Sequence, residues 1–186
     1  MGQNSFQPGS DQQQFMESTA KQVMGYGGFG SGKTRTMNEK GYMLNMKYPG
    51  NRGLIVRKNF SDVRSSTIEQ SLLEDVIPES HIPEDGWNKS EHRIEHFTGT
   101  TDQYGEPVMS EIYYEGLSTS GNRSDDALPR RVSGMQFGWI AIDEATETTE
   151  GDFVQLLGRL RYNRHEQGGQ IFRIPFRQIM VSTNPA

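Results

Sequence analysis

Apolar positions along the chain fall in short runs separated by polar and glycine-rich stretches, and these runs predict alternating strands and helices. The run from Lys21 to Tyr26 predicts a strand that leads directly into a cluster of glycines. An approximate apolar stripe from Met37 onward predicts a helix over residues 33–48, which Pro49 ends. From residue 21 the chain therefore starts as strand, glycine loop and helix.

The same alternation continues along the chain. Residues 53–57 and 137–142 are short apolar runs typical of strands buried on both faces, and residues 178–182 predict a further strand. Residues 62–76 are compatible with a helix, and residues 153–162 predict a second one with a clear apolar stripe. Alternating strands and helices predict an α/β fold with a mostly parallel sheet flanked by helices.

Two segments depart from this alternation. Residues 87–97 and 108–116 predict an antiparallel pair of strands, inserted into the α/β order, whereas residues 118–131 predict a polar loop. The N-terminal stretch is polar and rich in glutamine. We therefore divide the chain into a polar N-terminal segment, residues 1–20, and one α/β domain, residues 21–186.

Composition narrows the class of protein. The 186 residues include no cysteine and four histidines, which excludes a disulfide framework or a thiolate nucleophile and favours a reducing, intracellular setting. No apolar run approaches the length of a membrane span and no signal-peptide pattern is present, so we expect a soluble protein that is not secreted. Leu, Ile, Val and Phe make up only 37 residues, near the lower limit for a packed globule, which suggests that part of the fold is missing.

Charge is distributed unevenly along the chain. The net charge of −5 would ordinarily argue against nucleic acid as a partner. Residues 1–60 carry eight Lys or Arg against three acids, residues 61–150 carry six against nineteen, and residues 151–186 carry five against two. Both ends are basic, so a polyanionic partner is compatible with the sequence.

Residues 27–34 carry the sharpest chemical signal, because they match the P-loop pattern G-x-x-x-x-G-K-[ST]. Glycines let successive backbone N–H groups turn toward phosphates at a helix N-terminus, Lys33 neutralises phosphate charge, and the Thr34 hydroxyl ligates Mg²⁺. The alternative is a glycine-rich turn without function, but the predicted strand before it and helix after it favour the P-loop. The predicted nucleotide-binding residues here are Gly27, Gly28, Phe29, Gly30, Ser31, Gly32, Lys33, Thr34 and Arg35.

Residues 140–144 have the form of a Walker B strand, in which a carboxylate at the strand end, here Asp143, holds Mg²⁺. The adjacent Glu144 predicts ATP hydrolysis, since a second carboxylate beside the metal ligand can orient and deprotonate an attacking water. Thr183 and Asn184 follow another strand, and strand ends meet at the same edge of a parallel sheet, so either residue can sense the γ-phosphate. A simple Asn-Pro turn is the structural alternative.

Other polar residues give weaker signals. Arg159, Arg161 and Arg164 lie on or just after the helix that follows the Walker B strand, where they either contact nucleotide or DNA phosphates or form a solvated helix end. His92 and His96 are four residues apart, which on a helix would suggest a metal pair. Their segment predicts a strand, so we reject that interpretation.

Together these features resemble the ATPase domain of the large terminase subunit of tailed viruses, the motor that packages DNA into a procapsid. The resemblance implies a P-loop NTPase core of the ASCE, RecA-like type that uses ATP and Mg²⁺ and translocates double-stranded DNA. It also implies the portal of a procapsid and the small terminase subunit as partners, a ring of identical subunits, and a location in the host cell cytoplasm. The matching segments are residues 12–15, 23–34, 56–58 with 64–66, 114–117, 138–145, 158–161 and 183–185.

The resemblance also assigns roles to individual residues. A glutamine upstream of the P-loop contacts adenine in the family, which matches Gln12 or Gln13, with Phe15 packing nearby. The P-loop here lacks an arginine, so of Arg130 and Arg131 before the Walker B strand we favour Arg131 as an arginine finger acting on a neighbouring subunit. An ordinary solvated arginine pair is the alternative. No nuclease domain, a further family feature, follows in this sequence, so we expect a C-terminally truncated ATPase domain.

Two other functions stay open at the level of sequence. Another P-loop motor on DNA, such as a helicase or a repair ATPase, uses the same P-loop and Walker B residues. A nucleotide-binding assembly module would bind ATP without productive hydrolysis, and Glu144 argues against it.

Overall fold

The computed structural model describes residues 8–28, 30–117 and 128–184, which form five α-helices and nine strands. The helices are α1 (Ser10–Glu17), α2 (Lys33–Lys47), α3 (Phe60–Asp62), α4 (Arg130–Ser133) and α5 (Glu150–Arg159). A π-helix, Val63–Val76, continues directly from α3, and single 3-10 turns lie at Glu79–His81 and Ala145–Glu147. The strands are β1 (Gln22–Tyr26), β2 (Arg52–Arg57), β3 (Trp87–Asn88), β4 (Arg93–Thr101), β5 (Pro107–Gly116), β6 (Trp139–Ile142), β7 (Arg164–Gln167), β8 (Gln170–Arg173) and β9 (Gln178–Thr183).

Seven strands form one mixed sheet in the order β1-β9-β6-β2-β5-β4-β3. The first five are parallel to one another, and β4 and β3 extend the sheet in antiparallel fashion beyond β5. The last strand of the sequence, β9, therefore lies between β1 and β6. The predicted α/β fold, with its mostly parallel sheet and its antiparallel hairpin, is confirmed.

The central strands are buried on both faces, which explains their continuous apolar sequences. Ile55, Ala141 and Met180 face α2 and the π-helix. The residues before them, such as Ile140 and Ile179, face the layer of α4 and α5, because successive side chains of a strand point to opposite faces. Helices therefore pack on both faces of the sheet and leave the edge at which the parallel strands end between them.

Trp139 fixes the distance between α2 and the sheet. Its fully buried indole occupies a slot where Gly41 of α2 and Gly53 of β2 approach, and a Cβ at these glycines would lie 2.6 Å and 2.1 Å from the ring. The indole N–H donates to Asn45 Oδ1 at 2.7 Å. Close packing here holds in place the helix whose N-terminus begins at Lys33.

The polar N-terminal segment contains a helix that the sequence pattern did not predict. Phe15 of α1 is buried beside Gly25 of β1. Lys40 of α2 donates to the carbonyls of Phe15 at 2.6 Å and Ser18 at 2.8 Å, which fastens the C-terminal end of α1 to α2. Burial lowers the pKa of Lys40 to about 8. One apolar anchor in a polar helix gives too weak a periodic signal to be detected.

Local chemistry also shifts two other boundaries. Helix α5 begins three residues earlier than predicted because Thr149 and Asp152 form a capping box, with backbone-to-side-chain distances of 3.1 Å in both directions. Arg164 lies in a hairpin, β7–β8, rather than at a helix end. This hairpin turns at Gly168 and Gly169, which both have positive φ, and its strands lack the apolar alternation that predicts a strand.

The predicted antiparallel pair consists of β4 and β5, with β3 as a short third strand. His92 adopts a positive φ of 51° between β3 and β4, and His96 lies within β4. Part of the predicted polar loop, residues 118–127, lies outside the described residues. Within the described ranges, no helix has the length and apolar character needed to cross a bilayer.

His96 is a buried histidine whose protonation state follows from its neighbours. The Trp139 indole only donates, so Asn45 presents its oxygen to Trp139 and its amide nitrogen to His96 Nε2, at 3.0 Å. Nε2 therefore accepts, and the proton of the neutral ring sits on Nδ1, 3.2 Å from the carbonyl of Phe97. A charged ring would lose the hydrogen bond from Asn45.

We predict that this histidine makes the fold sensitive to acid. Burial lowers the pKa of His96 from 6.5 to about 4. Between pH 6.5 and pH 4 the His96 side chain is protonated in the unfolded chain but stays neutral in the folded chain. The free energy of unfolding therefore falls by about 3 kcal/mol as the pH drops from 6.5 to 4. Urea unfolding across the interval should show this loss in the wild type and in a His165→Gln control. The His96→Gln variant should lack it, and an unchanged pH dependence in that variant would contradict the assignment.

Candidate functional site

The carboxyl ends of the parallel strands meet at one edge of the sheet, and the chemically active residues collect there. β1 leads into the P-loop, β6 ends before Asp143, β9 ends at Thr183, and β2 ends at Arg57. A cleft of about 450 Å³ opens at this edge. It is lined by several residues that the sequence predicted, namely Gly30, Ser31, Gly32, Lys33, Thr34, Arg35, Asp143, Glu144 and Asn184.

The P-loop curls around the ammonium group of Lys33. Its Nζ donates to the carbonyls of Gly27 at 2.6 Å and Gly28 at 2.7 Å, and to Ser31 Oγ at 3.2 Å. Gly32 has a φ of +76°, a conformation that favours glycine, and α2 begins at the next residue. The N–H groups of the helix start and the positive charge of Lys33 thus face the same cleft, as anion binding requires.

Two of the predicted nucleotide-binding residues, Phe29 and Arg35, are not among the contacts around Lys33 described above. Phe29 lies outside the described residues. The guanidinium of Arg35 lies 4.0 Å from Glu39 and 3.9 Å from Asp75, at the border of the cleft. These acids draw Arg35 toward the π-helix side of the cleft.

Asp143 is a buried carboxylate held by three hydroxyl groups. Its Oδ1 accepts from Thr34 at 3.1 Å and from Ser182 at 2.5 Å, and its Oδ2 accepts from Thr67 at 2.8 Å. Asp143 is 2% exposed. The three donors come from α2, β9 and the π-helix, so the carboxylate joins three elements at the end of β6.

The composition of this group fits Mg²⁺. Asp143 and Thr34 supply the hard oxygen ligands that Mg²⁺ prefers, and in the described part of the chain no basic side chain lies within ion-pair distance of Asp143. The described residues also contain no cluster of three or more His, Cys, Asp or Glu. A magnesium ion here would therefore depend on phosphate oxygens and water for its other ligands, as it commonly does in nucleotide sites.

Glu144 projects from a strained backbone position. Its φ of 52° and ψ of 56° place it in the left-handed region, which is uncommon for a residue other than glycine. Its Oε2 forms an ion pair with Arg57, and its backbone N–H donates to Ser182 Oγ at 3.4 Å. The two acids of the Walker B strand thus share Ser182 but have different side-chain partners.

A second cleft, of about 680 Å³, lies between α1 and the P-loop. Gln12 and Phe15 line it, and it shares Ser31, Lys33 and Ser182 with the first cleft. The Gln12 amide donates to the carbonyl of Ser31 at 2.8 Å, while its oxygen accepts from the N–H of Gly9 at 2.9 Å. The two clefts form a continuous surface around the P-loop.

The two candidate glutamines differ in position. Gln13 lies outside the lining of this cleft and donates instead to Glu17 of its own helix at 2.7 Å. Gln12 is the glutamine that the fold brings to the P-loop. The helical period explains the difference, since neighbouring residues on a helix point in directions about 100° apart.

The candidate sensor residues also separate. Asn184 lines the first cleft, whereas the Thr183 hydroxyl donates to the carbonyl of Asn184 at 3.2 Å. Ser182 contacts Asp143 directly, and the sequence analysis missed its role. The period-two alternation of β9 was the available signal, because it places Ser182 and Asn184 on one face and Thr183 on the other.

Arg131 lies away from its own P-loop. Its guanidinium donates to the carbonyl of Ser90 at 2.7 Å and lies 3.4 Å from Glu115 at the end of β5. Four strand spacings separate β5 from β1, about 19 Å across the sheet. Its side chain is 40% exposed, so it faces solvent beside Glu115.

Three further residues of the site were not predicted to have a role. Arg57 and Thr67 contact the two Walker B acids, and Ser66 contacts Arg57. Arg57 and Ser66 stand in segments that match the terminase pattern, which was the available signal for both. Thr67 lies 76 positions before Asp143 in sequence, so only the packing of the π-helix against β6 reveals its contact.

The strand order and the cleft define the chain as having a P-loop NTPase fold of the ASCE type, in which one strand separates the P-loop strand from the Walker B strand. No protein-family model and no curated protein sequence matches the chain. Solved structures do match: the large terminase from a thermophilic bacteriophage has a TM-score of 0.68 at 14% identity, covering 96% of this chain and 40% of that chain. The Thermus phage P74-26 large terminase ATPase domain has a TM-score of 0.64 at 16% identity, covering 97% and 66%.

A third similar structure is the same thermophilic bacteriophage's large terminase in complex with ATP-gamma-S, with a TM-score of 0.58 at 14% identity, covering 95% of this chain and 38% of that chain. Identities this low establish the fold alone. The chain therefore has the fold of a large terminase ATPase domain, as the sequence resemblance predicted. It spans 40% of the large terminase in the first comparison and 66% of the P74-26 ATPase domain.

Proposed function

We propose that the chain is the ATP-hydrolysing motor domain of a viral DNA-packaging terminase. The observation that carries the proposal is that Lys33 and Thr34 of the P-loop meet Asp143 and Glu144 in one cleft. The likeness in fold to large terminase ATPase domains supports this kind of motor, and the ATP-gamma-S complex of one such neighbour supports ATP as the nucleotide.

ATP would lie across the two connected clefts. The adenine would enter the cleft beside Gln12 and Phe15, and the phosphates would replace the carbonyl and hydroxyl partners that Lys33 now contacts. Thr34 and Asp143 would hold Mg²⁺, which supplies charge neutralisation at the phosphates. Asn184, which lines the same cleft as Lys33 and Thr34, would contact the γ-phosphate.

Glu144 would act as the general base. It takes a proton from water as the water oxygen attacks the γ-phosphorus, and the electron pair of the broken bond leaves on the bridging oxygen of ADP. Lys33 stabilises the negative charge that develops on the phosphoryl oxygens. The products are ADP and inorganic phosphate.

We further propose that Arg131 acts as an arginine finger in a neighbouring subunit. Its distance across the sheet separates it from its own P-loop, and its exposure beside Glu115 leaves it accessible to a second copy. Subunits would then form a ring in which each site is completed by the next subunit. Double-stranded DNA, the portal of a procapsid and the small terminase subunit are the partners of such a ring, and the host cytoplasm is its location.

We predict that Glu144→Gln greatly slows turnover without preventing ATP binding. Losing a general base lowers rates by about two to four orders of magnitude, while the amide keeps the shape of the side chain. Steady-state ATPase assays and titration with a fluorescent ATP analogue measure the two quantities separately. Wild-type turnover in the variant would contradict the role of Glu144, and a wild type without hydrolysis at any protein concentration would favour the assembly-module alternative.

We also predict complementation between two inactive variants. Arg131→Ala removes the finger and Glu144→Gln removes the base, so each variant alone should hydrolyse ATP at least about tenfold more slowly than the wild type. Mixing them creates some interfaces with an intact base and an intact finger, so the mixture should exceed either variant alone. Arg130→Ala is the matched control and should retain activity. A mixture no faster than its components would contradict a finger in trans.

The alternative to a packaging motor is another P-loop motor that acts on DNA, such as a helicase or a repair ATPase. A packaging motor should translocate double-stranded DNA into purified procapsids and leave a forked duplex intact. A helicase or repair ATPase should separate the strands of the fork instead. Assaying the full terminase assembly on both substrates decides between the two, and strand separation without packaging would overturn the terminase assignment.

A further inference from the structure

Helix α1 is too short to hold its own position. It has eight residues, Ser10–Glu17, of which only Phe15 is buried. An isolated helix of this length is not stable in water, so contacts with the rest of the domain decide where it lies. Gln12 stands three residues before Phe15 and therefore on the same side of the helix. The contacts that fix Phe15 thus also aim Gln12 at the P-loop carbonyl of Ser31.

Lys40 of α2 is a buried cation that holds the C-terminal end of α1. Its ammonium group donates to the carbonyls of Phe15 and Ser18, at 2.6 Å and 2.8 Å, and lies 5.3 Å from the centre of the Phe15 ring. The Phe15 carbonyl is one of the last four of the helix, which lack a partner within it. Lys40 is 3% exposed. Its positive charge also faces the negative end of the helix dipole, so this one side chain stabilises the end of α1 in two ways.

Gln178, at the start of β9, holds the segment that leaves α1. Its amide nitrogen donates to the carbonyl of Ala20 at 2.6 Å and to that of Ser18 at 3.2 Å. The Gln178 side chain is fully buried. The carbonyl of Ser18 therefore accepts from both Lys40 and Gln178, and α1 is fastened to α2 and to β9 at the same point.

The position of Lys40 on α2 links these contacts to the phosphate side of the site. Lys33 and Lys40 are seven residues apart, nearly two helical turns, so they lie on the same side of α2 and about 10 Å apart along its axis. Thr36 lies between them and, like Lys33, lines the cleft of about 680 Å³. Lys40 itself is outside the lining of this cleft. The helix therefore sets the distance between α1 and the P-loop.

We propose that Lys40, assisted by Gln178, is a positioning residue for recognition of the nucleotide base, because it holds α1 where Gln12 and Phe15 face the base. The proposal rests on the proposed binding of ATP across the two clefts. A glutamine amide can donate to N7 of adenine and accept from its 6-amino group, provided that the amide is correctly placed. Selectivity for adenine then depends on a side chain that does not touch the nucleotide, whereas phosphate binding by the P-loop does not require α1.

The test compares three ligands that share their phosphate groups but differ in the base. ATP carries adenine, inosine triphosphate has a carbonyl in place of the 6-amino group, and inorganic tripolyphosphate has no base. Competition of each ligand against a ribose-labelled fluorescent ATP analogue, with Mg²⁺ and the full chain, measures affinity without requiring turnover. We expect the wild type to bind ATP about tenfold more tightly than inosine triphosphate, in the range of one net hydrogen bond.

Lys40→Met removes the charge and both hydrogen bonds while keeping a long, unbranched side chain. We expect its affinity for ATP to fall about tenfold, to the level of inosine triphosphate, with an unchanged affinity for tripolyphosphate. Hydrogen exchange should become faster in α1 and stay slow in α2. Lys40→Arg keeps the charge and should retain part of the preference for ATP. Gln178→Leu leaves Lys40 in place and should reduce the preference by a smaller factor, which provides a second test if Lys40→Met does not fold.

Lys47→Met is the matched control, since Lys47 lies on the same helix but is exposed, with its ammonium group 5.6 Å from the centre of the Tyr48 ring. It should retain all three affinities. In a Gln12→Ala background, which removes the base contact itself, Lys40→Met should cause no further loss of preference for ATP.

Three outcomes would overturn the proposal. The first is a wild-type preference for ATP in Lys40→Met, or in Gln178→Leu if Lys40→Met does not fold. The second is an equal loss of affinity for all three ligands, which would mean that Lys40 supports the P-loop helix rather than α1. The third is a wild type that binds ATP and inosine triphosphate equally. Failure of the proposed function looks different, because the three affinities would follow the expected pattern while ATP was not hydrolysed.

Discussion

The carboxylate of Asp143 is almost completely shielded from water, so hydrogen bonds from the surrounding structure have to compensate for the lost hydration. Three hydroxyl groups do so, from Thr34 on α2, Thr67 on the π-helix and Ser182 on β9. A buried charge without such donors would cost several kcal/mol. The same contacts that satisfy Asp143 therefore fix the positions of the P-loop helix, the π-helix and the last strand relative to β6. The proposed site for phosphate and metal lies where these elements meet.

A second constraint sets the geometry around this carboxylate. The indole of Trp139 fits between α2 and β2 only because Gly41 and Gly53 lack a Cβ, and its N–H is bonded by Asn45. Asn45 also bonds His96 of β4, so the start of β6, the middle of α2 and the antiparallel edge of the sheet form one buried polar chain. The P-loop at the start of α2 is positioned by packing that lies well away from the nucleotide cleft.

Much of the site was predictable because it depends on short local patterns. The P-loop, the Walker B acids and the buried strands each occupy a few consecutive residues, and parallel strands necessarily end at a common edge. The helix α1 and the hairpin β7–β8 were missed, since one buried phenylalanine or two polar strands leave almost no periodic signal. Ser182, Thr67 and Arg57 were missed for a different reason: their importance comes from contacts made across 39, 76 and 87 positions of sequence.

The class of fold and the candidate P-loop and acid pair could be predicted from the sequence, because each is a short pattern of neighbouring residues with its own backbone requirements. Packing across the domain distinguished between residues that the local pattern left equivalent. It turned Gln12 rather than Gln13 toward the P-loop, placed Ser182 and Asn184 rather than Thr183 on the cleft face, and set Arg131 four strands from its own phosphate site. These outcomes depend on helix rotation, strand register and strand order, which are fixed by packing over the whole sheet.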